Sequence, residues 1–124
     1  MQKYRFIAFG GALGSIARYW VGSTTANRMG TKFPYGTYVI NITACVIIGF
    51  SLAFLAKQVD LNPARRFLVP VGFIGAYNTF STYEWETLST IRTGAFYLAA
   101  LYAVSRLILG LAAVWGGSAI ADIL

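Results

Sequence analysis

The stretch GAYNTFSTYEWE, Gly75 to Glu86, interrupts one of the most apolar parts of the chain. Apolar residues lead into it from Phe67 to Ile74. It then presents an amide, several hydroxyls, four aromatic rings and two carboxylates. A plain hydrophobic helix would be easier to build there. Asn and Thr side chains compete for backbone hydrogen bonds and weaken a helix, so Asn78-Thr79, helped by Gly72 and Gly75, marks a break. Non-helical backbone at membrane depth survives only where protein or a water-filled cavity surrounds it.

The composition supports reading this depth as lipid. Of the 124 residues 57% are hydrophobic and 11% charged, against about 25% charged in a soluble domain. Four segments approach the roughly 20 apolar residues that span a bilayer. They run from Phe6 to Ala26, Tyr35 to Ala56, Phe67 to Ile91 and Ala95 to Ala119. The expectation is an all-α membrane protein, one four-helix transmembrane domain over residues 1–124, with the third helix broken. The first segment follows Lys3 and Arg5 like a signal peptide. Its length, its internal Arg18 and the three spans after it favour a retained helix. In the loop before the third span, Asp60 or Asn62 suits a helix cap.

The residue inventory excludes several functions. There is no histidine and one cysteine, Cys45, so neither a disulfide within the chain nor a Cys/His metal site can form. A Ser-His-Asp or Cys-His nucleophile is excluded too. Four acidic residues leave little for acid–base catalysis, so an enzyme is not expected. The net charge of +6 is dispersed among loops, which fits lipid headgroups rather than nucleic acid. Lys3, Arg5, Lys57, Arg65 and Arg66 fall on the side of the termini; Arg28, Lys32 and Arg92 fall opposite. This slight bias favours cytoplasmic termini. It fits an ordinary mildly biased protein, and it is also compatible with insertion in both orientations.

Polar residues recur at helical spacing. Gly10, Gly14, Arg18 and Gly22 share one face of the first span, where small residues let helices approach closely. Arg18 either snorkels to the interface beside Tyr19 and Trp20 or serves an electrostatic role. Thr37, Asn41 and Cys45 share a face of the second span. Asn41 must find partners, as interhelical glue or along a polar path. Tyr102, Arg106 and Gly110 share a face of the fourth span. Arg106 sits about 15 Å along the helix from Phe96. An arginine at that depth marks a functional site by default; the competing reading is an ion pair with Glu84 or Glu86. Past the break, Phe80 and Tyr83 lie three apart, flanked by Ser81 and Thr82, with Glu86 on the same face. The positive edges of such rings, interleaved with hydroxyls, suit a small anion shedding water, although aromatics at this spacing also occur in ordinary packing.

Three segments, GGALGSIARYW (Gly10–Trp20), YGTYVIN (Tyr35–Asn41) and GFIGAYNTFSTYEWET (Gly72–Thr87), resemble in order the signature segments of the Fluc/CrcB fluoride channels. The resemblance implies an antiparallel dual-topology dimer, of two identical or two homologous subunits, with two pores carrying fluoride passively out of a prokaryotic cell across its inner or plasma membrane. By motif position it implies a fluoride pore along Asn41, Phe80, Tyr83, Ser81, Thr82, Tyr102, Thr37 and Glu86. It also implies a structural sodium ion on the backbone carbonyls of Gly75 and Asn78. The chain departs from the family pattern in three places. Tyr83 stands where a second phenylalanine is common, bringing an extra donor to the path. Asn78 stands where Thr or Ser is usual, and Ala76 where Gly is usual. A small multidrug-resistance exporter has a similar size and topology but needs a carboxylate in its first span, and Phe6–Ala26 contains none. A non-conducting accessory subunit would explain the glycine face but not Asn41, Phe80 and Arg106 together.

Overall fold

A computed structural model describes residues 1–58 and 62–124. Among the described residues every regular element is helical. Helix α1 (Gln2–Met29) is followed by α2 (Tyr35–Ala56) and the short α3 (Pro63–Arg66). A π-helical segment (Phe67–Phe73) leads into α4 (Ile74–Tyr77), then α5 (Phe80–Arg92) and α6 (Phe96–Ile123). The expected second span matches α2 end for end. The first and fourth grow longer than expected, because the residues flanking their apolar centres continue the helix. Helices α2 and α6 are long and apolar enough to cross a membrane. In α1 the run of glycines, hydroxyls and Arg18 dilutes the hydropathy, and the third expected span is divided into pieces.

Local chemistry sets the boundaries. Gly30 and Gly94 adopt φ values of 83° and 84°, a left-handed conformation that favours glycine, and so end α1 and the α5 turn. Asn62 caps α3, its side chain accepting from the Ala64 N–H at 3.0 Å, with Pro63 at the first helical position. The capping role considered for Asp60 lies outside the described residues. Pro70 falls inside the π-helical segment. A proline lacks the N–H of an α-helical turn and its ring crowds the carbonyl four residues back. The wider π turn accommodates both, and it closes with the Ile74 N–H bonded to the Val69 carbonyl.

The glycine face of α1 meets this segment directly. A methyl group built on Gly10 would lie within clashing range of the Leu68 carbonyl oxygen, and one on Gly14 would strike that of Phe73. From the other side, Gly72 closes on the Ile7 carbonyl. Gly49 and Gly117 do the same between α2 and α6, against Val114 and Val46. Close packing therefore accounts for the glycine spacing of the first span. The small core of Ile40, Ala44, Ile74 and Tyr77 lies where α2 and α4 meet, with Ala17, Val21 and Phe73 packed on it. Lys57 closes the far end: its Nζ donates to the Ala121 carbonyl at 2.6 Å and lies 3.9 Å from Asp122. A cation there complements the C-terminal dipole of α6.

Gly14→Ala is therefore expected to destabilise the protein by about 1–3 kcal/mol through overpacking against rigid backbone. Gly116→Ala, where an added methyl meets nothing within 4 Å, should be neutral. Thermal unfolding of the two variants in detergent, followed by loss of the folded elution peak, checks this pair.

Candidate functional site

The site is built around the break. Asn78 and Thr79 leave the helix, Asn78 at φ −75°, ψ 147° and Thr79 at φ −146°, ψ 114°. An extended residue between two helices exposes its N–H and C=O, and neither can be left bare in an apolar setting. Both are met by one side chain. The Thr79 N–H donates to Asn41 Oδ1 at 3.1 Å, and Asn41 Nδ2 donates to the Thr79 carbonyl at 3.2 Å. Asn41 is fully buried, at 0% exposure. Its amide behaves as the backbone of a neighbouring strand would. Of the two roles open to it, the geometry displays the interhelical one.

Thr79 then starts the next helix. Its Oγ1 accepts from the Thr82 N–H at 3.3 Å and donates to Thr82 Oγ1 at 3.0 Å, a side-chain N-cap. Its N–H is thus taken from the Gly75 carbonyl, which a continuous helix would have bonded. Gly75 and Asn78 are exposed, and nothing lies within 4 Å of a methyl built on Gly75. A carbonyl freed at the C-terminal end of a helical piece carries partial negative charge and suits a hard cation with oxygen ligands. Among the described residues no three His, Cys, Asp or Glu side chains gather as a metal site.

From the break an aromatic column runs into the protein. Phe80 is 64% exposed and its ring centroid lies 5.8 Å from that of Tyr83. Tyr83 lies 5.1 Å from Tyr102, and both are buried. Tyr102 continues the column to Phe33 at 5.3 Å, edge to face, and to Tyr38 at 5.9 Å. Glu86 adjoins the column at Tyr102. Thr37 Oγ1 donates to Glu86 Oε1 at 2.7 Å, and the Tyr102 hydroxyl donates to Oε2 at 3.4 Å. Thr37 and Glu86 also line a cavity of about 400 Å³, with Gly22, Lys32, Ser89 and Thr90.

The structure thus gathers Thr37, Tyr83, Tyr102 and Glu86 into one contact network from α2, α5 and α6. Asn41 and Thr82 form a second group, linked to each other through Thr79. Phe80 and Ser81 lie at the exposed edge. The extra donor of Tyr83 is not free, because its hydroxyl bonds the Ala103 carbonyl at 3.2 Å. Arg106 makes no ion pair with Glu84 or Glu86; the Lys57–Asp122 contact is the ion pair among the described residues. Its guanidinium instead sits over the Tyr83 ring, 4.3 Å from the centroid. Arg18 is half-buried, followed in the chain by the exposed Tyr19 and Trp20, and lies outside this network. Phe33 and Tyr38 were not anticipated. Phe33 lies in a loop, and nothing local to either residue indicates that it meets Tyr102.

With this geometry in view, the sequence comparisons define the protein class. The model of the CrcB-like family, described as camphor resistance (CrcB), matches residues 5–118. A protein of Acidobacterium capsulatum named fluoride-specific ion channel FluC is 51% identical over 121 residues, covering 98% of this chain and 97% of its own. Proteins of the same name from Solibacter usitatus and Maridesulfovibrio salexigens are 41% and 39% identical over 120 residues, covering 97% of this chain and 98% and 95% of their own. The chain belongs to the CrcB-like family of all-α membrane proteins, as the three signature segments anticipate.

Asn41→Ala should leave both buried Thr79 backbone groups unsatisfied, at about 1–3 kcal/mol each. A marked loss of thermal stability is expected, together with faster amide exchange at Thr79. Asn41→Gln and wild-type behaviour give the comparison; unchanged exchange in Asn41→Ala would contradict the clamp.

Proposed function

We propose that the chain forms a fluoride-selective channel that lets fluoride leave the cytoplasm passively and so lowers its toxicity. The observation that carries this reading is the aromatic column Phe80–Tyr83–Tyr102 leading to the Thr37–Glu86 pair, in a chain whose relatives bear the name of fluoride-specific channels. Ring edges and hydroxyls replace part of a small anion's hydration shell. The path takes in Asn41, Thr37, Phe80, Ser81, Thr82, Tyr83, Tyr102 and Glu86, with Arg18 and Arg106 as electrostatic contributors.

In this reading four spans cross a prokaryotic inner or plasma membrane as one multi-pass domain. Two copies, or this chain and a homologous subunit, pair antiparallel with dual topology. Exposed Gly75, Asn78 and Phe80 are the surface the second subunit covers, and lipid takes the rest. A sodium ion would be held by the Gly75 and Asn78 carbonyls. Bound there, it supplies positive charge that offsets anion repulsion and ties the two subunits together. Fluoride and lipid are the other partners; no nucleic acid and no enzymatic reaction is involved. An exporter of the small multidrug-resistance kind remains disfavoured because α1 offers no carboxylate. An accessory subunit has no use for the column.

Liposomes holding only this purified protein should release fluoride rapidly and chloride hardly at all, as read with ion-selective electrodes. Phe80→Ile should bring fluoride efflux down to the level of protein-free liposomes while the dimer persists in cross-linking. Asn41→Asp should also block through its negative charge, and because it also removes the amide donor to Thr79 it is read only on protein that folds and dimerises as wild type does. Normal flux in Phe80→Ile rejects the path assigned to Phe80. Silence of well-folded wild-type protein rejects self-sufficient conduction and directs the search to a homologous partner.

A further inference from the structure

Arg106 combines three features that packing leaves unexplained. It lies about 15 Å along α6 from Phe96, deep within a helix apolar and long enough to cross a membrane. Its guanidinium rests on the Tyr83 ring at 4.3 Å. Its Nε is buried and has no hydrogen-bond partner, and among the described residues no carboxylate comes within ion-pair distance of it.

A desolvated cation–π contact is worth up to about 2 kcal/mol. A charge at this depth is costlier than that unless it faces an ion, protein dipoles or water. The ring face also offers no lone pair to the guanidinium N–H groups, which are donors only. Among the described residues no neighbouring oxygen accepts a hydrogen bond from Arg106. The Tyr83 and Ser105 hydroxyls donate to the Ala103 and Tyr102 carbonyls, and neither oxygen is bonded to the guanidinium. Glu86, held by Thr37 and Tyr102, lies beyond ion-pair distance. The Tyr83 ring is pinned by its own hydrogen bond and by Phe80 and Tyr102, so it holds the guanidinium in place. What the buried Nε lacks is an acceptor.

We infer that Arg106, seated on Tyr83, is a binding site for a small monovalent anion beside the aromatic column. The choice of fluoride as that anion rests on the function proposed above. Charge-assisted hydrogen bonds are about twice as strong as neutral ones. Conduction requires that an ion bind well enough to enter and weakly enough to leave. Arg106 therefore trades throughput for affinity: the path fills at low anion concentration and empties slowly.

The test measures equilibrium binding and flux separately on full-length protein. Sodium fluoride is titrated into wild type, Arg106→Gln and Arg106→Lys at constant ionic strength and followed by calorimetry, with sodium chloride as the comparison. Fluoride efflux from liposomes is measured on the same preparations. Arg106→Gln should weaken fluoride binding by about tenfold or more, as loss of a charge-assisted contact predicts, and raise efflux at saturating fluoride. Arg106→Lys keeps the charge and should bind close to wild type; it carries the test if Arg106→Gln does not fold. Equal affinity in wild type and Arg106→Gln overturns the inference. So does equal weakening in both variants, which would make Arg106 a stacking group. A loss of dimer with unchanged affinity in the dimer that remains also overturns it, and assigns Arg106 to a carboxylate of a second copy. The two proposals fail separately. Charge-dependent binding in a wild type that releases no fluoride supports the anion site and rejects the channel. Fluoride efflux with binding independent of Arg106 supports the channel and rejects the site.

Discussion

The structure depends on one pair of hydrogen bonds, between the Asn41 amide and the backbone of Thr79. An apolar environment penalises every unpaired N–H and C=O, so a chain can leave helical geometry there only if something else supplies a donor and an acceptor. An asparagine side chain supplies both in the spacing of a peptide group. Because Asn41 is on α2 and Thr79 lies between α4 and α5, satisfying the break also fixes those helices against each other. The cap from Thr79 to Thr82 then sets where α5 begins, and with it the faces on which Phe80, Tyr83 and Glu86 emerge.

Such precision needs a stiff surround, and the glycines provide it by bringing backbones together. Gly10 and Gly14 seat α1 against the Leu68 and Phe73 carbonyls, while Gly49 and Gly117 seat α2 against α6. Helices in lipid gain little from hydrophobic exclusion and much from close van der Waals packing. The π-helical segment belongs to this scheme. It turns the chain past Pro70 and presents Gly72 to α1, so the irregularity ahead of the break is also a packing surface.

Much of this was legible in the residues. The apolar runs located the helices, and Tyr35–Ala56 did so end for end because Pro34 and Lys57 bound it sharply. Asn78-Thr79 marked the break, since both residues favour extended or capping conformations. The glycine spacing correctly implied close packing. Contacts between distant segments were not legible. Asn41 and Thr79 are 38 positions apart, and periodicity says which face Asn41 occupies but not which backbone group it meets. Nor could spacing show that Arg106 would choose a ring over Glu84 or Glu86, because i, i+3 patterns describe one helix at a time. The Tyr83 hydroxyl illustrates the same limit. Its bond to Ala103 depends on the offset between α5 and α6, which no local pattern encodes.

The hydrogen bonds also sort the polar groups by sign. Asn41 spends its donor and its acceptor on Thr79, and Glu86 has both oxygens held by hydroxyls from α2 and α6. What stays free differs in charge. At the break, the Gly75 carbonyl lacks the N–H that Asn41 has taken, leaving an acceptor at the negative end of a helical piece. Beside the Tyr83 ring, the buried Nε of Arg106 is a donor with no acceptor to meet it. One substitution of hydrogen-bond partners at Thr79 thus creates the acceptor end, and the rigid start of α5 carries the aromatic column away from it. In the proposed function the acceptor end would take a cation and the column an anion.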